Sequence, residues 1–357
     1  MTAPAPVDGD AMLLGSESPL ARTYDVALLD LDGVCFAGDA RVDYAADSIN
    51  GARAHGMTLS FVTNNASRAP QAVVDKLSRN DIRASPDEVF SAAMDAAALL
   101  RERLAEGSPV LVVGGEGLRS ALAAEGFTVV ASADDRPAAV VQGWDPAVDW
   151  AMMSEGLYAI ADGALHVATN LDATLPTERG FALGNGSLVA AIANASGREP
   201  LAGGKPFPGI YERALARAGG SAPLAVGDRL NTDHVGARAA GIPGLHVLTG
   251  VSTARDVVLA RPEERPAYLH TDLRGLLEPH PRPVHERRGE ETEWIVGATH
   301  CRIHDDVVLL DDEVALTGRE AEITLNAYRA LACAMWDHLD RHAGAPAPSI
   351  PDIRVRA

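Results

Sequence analysis

A chain of 357 residues, 47% of them hydrophobic, is long enough for two or three domains and has the composition of an ordinary globular protein. Its 49 acidic and 31 basic residues leave a formal charge of −18, which argues against nucleic acid as a bulk electrostatic partner. An anionic substrate is not excluded, because a few local cations or a metal can override the global field.

Residues 1–20, rich in Ala, Pro, Gly and acids, are expected to form a flexible tail. The opening MTAPAPVDGD has neither the basic nor the apolar region of a signal peptide, and no apolar run reaches the ~18 residues of a membrane span. Cys35, Cys301 and Cys333 form no CxxC pair and suggest no disulfide framework, so a cytoplasmic setting is expected. VALLDLD (26–32) and TLSFVTNN (58–65) read as strands, with a helix over 47–56 between them and another over 69–80. Strand, crossover helix and strand in that order imply a parallel sheet.

A second αβ block follows. VLVVGG (110–115), FTVV (127–130), AVVQGW (139–144) and LHVATN (165–170) read as strands, with helices over 116–126, 148–161 and 187–196. After Lys205 the first style resumes, with helices over 208–218 and 232–240 and the strands LAVGD (224–228) and GLHVLTG (244–250). One α/β core interrupted by an inserted domain is the simplest account. Beyond the Pro-rich break at 278–291, residues 293–312 read as a hairpin and 318–342 as an amphipathic helix. Leu325, Tyr328, Leu331, Ala332 and Met335 form its apolar stripe, and SIPDIRVRA offers one more strand.

Four polar groups fall where strands of the proposed core end. Asp30 and Asp32 close the first strand, Thr63, Asn64 and Asn65 the second; Lys205 stands in GGKP, and Asp228 closes LAVGD with Asp233 five residues on. Ligands of open parallel sheets bind beyond the carboxyl ends of strands, so these groups are expected to converge. Three carboxylates brought together repel unless a cation joins them, and oxygen ligands without His or Cys suit Mg2+. Lysine, hydroxyl and amide donors suit a phosphate, and an Asp oxygen is a competent nucleophile toward phosphorus.

DLDGV, TNNAS, GKP and GDRLNTD resemble, in order, the four motifs of the haloacid-dehalogenase superfamily of phosphatases. The insertion between TNN and GKP resembles the C2 cap of the class IIA branch, the NagD-like or p-nitrophenyl phosphatases. LPTERG (175–180), GNGSLVAAI (184–192) and GDRLNTD (227–233) are similar to segments of glycerol-3-phosphate phosphatases that carry a C-terminal extension. The resemblance implies an α/β fold: a Rossmann-like core with a parallel sheet over 21–85 and 204–279, a C2-type α/β cap over 86–203, and a small α+β extension over 280–357. It implies Asp30 as nucleophile and Asp32 as the acid and base. The Asp30 and Asp228 carboxylates and the Asp32 carbonyl would hold Mg2+, with Asp233 steadying these ligands from behind. Thr63, Asn64, Asn65 and Lys205 would seat the phosphoryl group, and Asn170 and Arg179 would help the cap select the organic part. Similar proteins read GDRLDTD, so Asn231 is a departure, expected to change the surroundings of the metal rather than abolish activity.

The expected reaction is Mg2+-dependent hydrolysis of a small phosphorylated metabolite, with glycerol 3-phosphate first and phosphoglycolate, sugar phosphates or nucleotides as alternatives. Segment 170–180 offers hydroxyl-binding side chains and no aromatic platform for a base. No nucleic acid or membrane partner is expected, self-association as a homodimer is left open, and residues 280–357 could instead form a binding or regulatory module. VGGEGLRSA (113–121) is better read as a plain strand-to-helix turn than as a dinucleotide fingerprint, and GNGSLVAA contains no nucleophile elbow. His300, Cys301 and His304 offer zinc donors, but on a strand Cys301 faces away from the two histidines, and a half-exposed hairpin is the better reading.

Overall fold

The computed structural model describes residues 12–177, 179–288, 291–311 and 314–356. The chain divides into two compact units: Met1–Leu59 with Asn80–Ile82 and Ala218–Ala357, and Ser60–Arg79 with Arg83–Arg217.

In the first unit the parallel strands Tyr268–His270, Gly244–Val247, Pro223–Gly227 and Val26–Leu29 lie side by side in that order. Leu28 stands opposite Ala225, and Val226 opposite Leu245. The strands are buried along nearly their whole length, which is why they appear in the sequence as apolar runs rather than alternations. Thr58, at the head of Thr58–Thr63, donates its N–H to the Asp25 carbonyl. The expected tail is shorter than the sequence suggested. Residues 1–11 lie outside the described ones, but Leu13 is buried, the Leu14 N–H donates to Ala267 O, and Leu20–Thr23 is a helical turn. Leu13 and Leu20 supply the apolar contacts that the surrounding small and polar residues obscure.

The C-terminal region is richer than the expected hairpin and helix. Val284–Arg288, Glu291–Val296, Thr299–His304, Val307–Leu310 and Val314–Ala315 form one antiparallel meander. The first strand, VHERR, is too charged to stand out by hydropathy. The helix runs over Leu325–Arg341, not 318–342, and Thr324 caps it by accepting the Ala327 N–H. Glu320–Thr324 before it is a strand, paired in parallel with Asp352–Arg356. Its period of two, with Ala321 and Ile323 inward, was masked by helix-favouring Glu and Ala. The helix is also buried all round from Ala327 to Trp336, more than the one expected stripe. Tyr328, Leu331, Met335 and Trp336 share a single core with Leu230, Val257, Val258 and Leu269. Polar contacts reinforce it: the Trp336 indole donates to Val257 O, and Arg265 makes a two-pronged pair with Asp340 at 2.6 and 2.7 Å. His300 and His304 face Glu293 and Glu291, while Cys301 is buried on the opposite side of the sheet.

The second unit holds a five-stranded parallel sheet, ordered Leu201–Ala202, Leu165–Ala168, Ala139–Gln142, Pro109–Val113, Thr128–Val130. Alternate residues take opposite faces. Val110, Val112 and Val141 meet the helices Ala92–Arg101 and Glu116–Ala124, while Leu111, Val113 and Val140 meet Trp150–Ala161 and Asn185–Ser196. Separately, Val89–Ser91 pairs in parallel with the end of Thr58–Thr63, setting Thr63 opposite Ser91. The turn at Gly117 packs directly on the Ser67 backbone, so its lack of a side chain serves close packing. Segment 170–183 contains the antiparallel pair Thr174–Thr177 and Gly180–Leu183.

Candidate active site

In the first unit, Asp30 directly follows Val26–Leu29, and its N–H donates to Val226 O, keeping it in register with the neighbouring strand. Asp228 directly follows Pro223–Gly227, and Asp233 lies in the wide helical turn Leu230–His234. Each of these three offers a carboxylate oxygen within 4.8 Å of the other two. This is the group of acids, histidines and cysteines, among the described residues, close enough to hold a cation. Asp233, expected to stand behind the ligands, contributes an oxygen at the same range as the others. The Asp32 side chain is exposed and lies outside the group, and Asn231 is exposed as well.

The acids are tightly framed. The fully buried Asp228 accepts the Val251 N–H at 2.6 Å, and Asp233 accepts the Arg229 N–H at 3.0 Å. A Cβ on Gly250 would stand 1.9 Å from Asp228 Oδ2, and one on Gly33 2.6 Å away. Gly33 also has φ of +88°, a conformation that residues with a Cβ seldom take. Behind Asp228, His246 Nε2 donates to its carbonyl, and burial pushes the imidazole well below the ordinary histidine pKa. His246 is therefore neutral at neutral pH.

The second unit supplies the other predicted residues. Thr63 is buried, and its Oγ1 accepts the Asn65 N–H; exposed Asn65 in turn accepts the Ser67 N–H and hydroxyl. Asn64 was expected to seat a phosphoryl group, but its side chain is committed elsewhere. Its Oδ1 accepts the Lys205 N–H at 2.7 Å, and its Nδ2 donates to Lys205 O and to Asp172 Oδ2. It holds Lys205 in place. Lys205 itself is only 3% exposed.

Asn170 is likewise buried and committed, donating to Asn64 O and accepting the Asp172 N–H, so it shapes this loop rather than meeting solvent. Asn185, not anticipated, holds Asn170 through the latter's carbonyl at 2.8 Å. Arg179 is exposed beside the hairpin, its N–H on Thr177 Oγ1. Asp95 was missed too. From Ala92–Arg101 it accepts the Gly204 N–H at 2.8 Å and pairs with Arg213 at 2.8 Å. Burial raises its pKa above the carboxylate norm, although both partners pull the other way. One acid inside AAMDAAALL was the available signal. Phe181 was passed over as well: the stretch without aromatics ends one residue before it, and it is 81% exposed on the hairpin.

The haloacid dehalogenase-like hydrolase family matches residues 27–128, and the related HAD-hydrolase-like family matches 202–276. D-glycerol 3-phosphate phosphatase of Mycobacterium tuberculosis is 41% identical over 327 residues, 89% of this chain and 87% of its own length. The chain belongs to the haloacid dehalogenase-like hydrolases. A crystal structure of the glycerol phosphate phosphatase of Mycobacterium tuberculosis, in complex with magnesium, superposes on this hydrolase with a TM-score of 0.78 at 37% identity, covering 95% of both chains. An acid sugar phosphatase of Staphylococcus haemolyticus is 33% identical over 71% of this hydrolase and 95% of its own length.

Proposed function

We propose that this hydrolase is a Mg2+-dependent phosphomonoesterase whose substrate is glycerol 3-phosphate. The carboxylate group of Asp30, Asp228 and Asp233, all within 4.8 Å, carries the reading. Oxygen donors in this number suit a hard divalent cation with near-octahedral geometry. Asp30, Asp228, Asp233 and the Asp32 carbonyl would hold it, and when bound it supplies charge neutralisation to the phosphoryl group.

Asp30 attacks phosphorus through one carboxylate oxygen, the P–O bond to the alcohol breaks, and Asp32 gives its proton to the leaving alkoxide. Asp32 then takes a proton from water, whose oxygen attacks the aspartyl-phosphate and releases inorganic phosphate with Asp30 regenerated. Lys205 and the Thr63 hydroxyl offset and orient the phosphoryl charge.

Glycerol 3-phosphate is favoured because the similarity to the glycerol phosphate phosphatase structure spans 95% of both chains, whereas the sugar phosphatase accounts for 71% of this one. Phe181 favours a second reading, a broader phosphatase that also accepts aryl or nucleoside esters, since an exposed ring offers a stacking surface. A phosphate-release panel with Mg2+ separates them. The proposal expects kcat/KM for glycerol 3-phosphate at least about tenfold above nucleoside monophosphates and phosphoglycolate, the scale of a few pocket contacts. A flat profile favours the broad reading, and no release from any ester refutes both.

A further inference from the structure

We propose that Asp95 is a positioning residue for Lys205, held to that task by Arg213; the inference rests on the role given to Lys205 above. Two consecutive backbone N–H groups, those of Gly204 and Lys205, each donate to a side chain, Asp95 Oδ2 at 2.8 Å and Asn64 Oδ1 at 2.7 Å. The Lys205 carbonyl accepts from Asn64 Nδ2. The peptide carrying the lysine is therefore gripped from two directions by groups of fixed length. Gly204, with φ of +73°, makes the close turn, and a Cβ there would stand 2.5 Å from Thr169 O.

Both grips start from one place in the fold. Asn64 follows Thr63, the last residue of its strand, and Ser91 pairs with Thr63 across the sheet and caps the helix that carries Asp95. Any shift of the Thr63 strand end thus carries both holders of Lys205 with it, which keeps the Thr63 strand end and the Lys205 backbone in fixed relation.

Placing a carboxylate among Ala92, Ala93, Ala96 and Ala97, all fully buried, is unfavourable unless its charge is met. Arg213 meets it through Oδ1, which leaves Oδ2 to the turn, and Glu102 anchors the same guanidinium from the exposed side at 2.8 Å. An ion pair serving stability alone would not need to give one oxygen to the amide next to Lys205.

The test is a double-mutant cycle on the full chain, reading kcat, KM, inhibition by inorganic phosphate and melting temperature in Mg2+. D95A is expected to lower kcat/KM by about ten- to a hundredfold, the scale of a small misplacement of a catalytic group. It should weaken phosphate inhibition in parallel. In a K205A background the same change should cost less than about threefold, because its target is gone. D95N, which keeps an oxygen for Gly204 N–H, should recover part of the loss and replaces D95A in the cycle should the alanine variant not fold. Equal losses in both backgrounds, or a lowered melting temperature with unchanged kinetics, would overturn the proposal. K205A retaining wild-type turnover would remove the lysine from the mechanism and the proposal with it, whereas a large loss in K205A with none in D95A sinks the proposal alone.

Discussion

Asp30 and Gly250 mark two ways a single residue can matter here. Asp30→Asn keeps the shape of the side chain but removes the proposed nucleophile, so turnover should fall to background while the circular dichroism spectrum and melting temperature stay near wild type. Turnover within about tenfold of wild type, or ~1.4 kcal/mol of barrier, would show that another group attacks phosphorus. Gly250→Ala adds one carbon 1.9 Å from an Asp228 oxygen, which must move and give up the Val251 N–H. Magnesium affinity should drop at least about tenfold, because the carboxylate no longer points at its neighbours; titration of Mg2+ against activity checks it, and an unchanged half-saturation would show the loop yields instead. The acids were legible in the sequence because polar residues ending apolar strands are local signals. The partners of Asp95 and Asn185 were not, since each acts on a peptide in another element, Gly204 at a separation of 109 residues and Asn170 at 15, and no spacing encodes that meeting.

Among the elements, strands buried on both faces were easy to read; of the C-terminal ones the hairpin within 293–312 and the last strand were legible, whereas Val284–Arg288 and Glu320–Thr324 were not. In Glu320–Thr324 propensity pointed to helix while pairing with Asp352–Arg356 enforced extension. The true helix start is set by Thr324, and Thr324→Ala should cost about 1 kcal/mol in urea unfolding, the usual worth of such a cap. A buried contact joins the same helix to the sheet. Arg329 donates to Leu269 O and to His280 Nδ1, while His280 Nε2 donates to Gly275 O. Burial, then the Arg329 charge, depresses the His280 pKa to about 3. Since the unfolded histidine takes a proton near 6.5, acidification from there toward 3 favours unfolding and drains stability, at up to about 1.4 kcal/mol per pH unit. His280→Gln, neutral throughout, should flatten the fall in urea stability between pH 6.5 and 5. An unaltered slope would place the proton uptake elsewhere.

For the whole molecule, the four-motif order was plain from sequence, while the packing of the C-terminal region was not. Residues 280–357 were separated by a Pro-rich break and could have stood alone as a module. Instead Trp336, Tyr328 and Leu331 lie in one core with Val257, Val258 and Leu269. A chain ending at residue 279 should therefore expose that apolar surface, bind a hydrophobic dye and accumulate in the insoluble fraction. Soluble recovery with wild-type kinetics would restore the independent-module reading.

The arrangement of the first unit also has a consequence in time. Asp30 and Asp228 directly follow neighbouring strands yet are separated by 198 residues of sequence. At translation rates of about 5–20 residues per second, Val26–Leu29 waits roughly 10–40 s for the neighbouring strand Pro223–Gly227. Helix Leu325–Arg341 emerges about a hundred residues later still, again on the scale of several seconds or more at that rate. Meanwhile the five strands of the second unit's own sheet all emerge before residue 217, so that sheet can close while the nascent chain is still growing. The acids are thus assembled late, and until then the VALL segment lacks the strand that covers one of its two edges. A chain released early by the ribosome would carry the five-stranded sheet of the second unit and an open first sheet without Asp228 and Asp233, prone to aggregate.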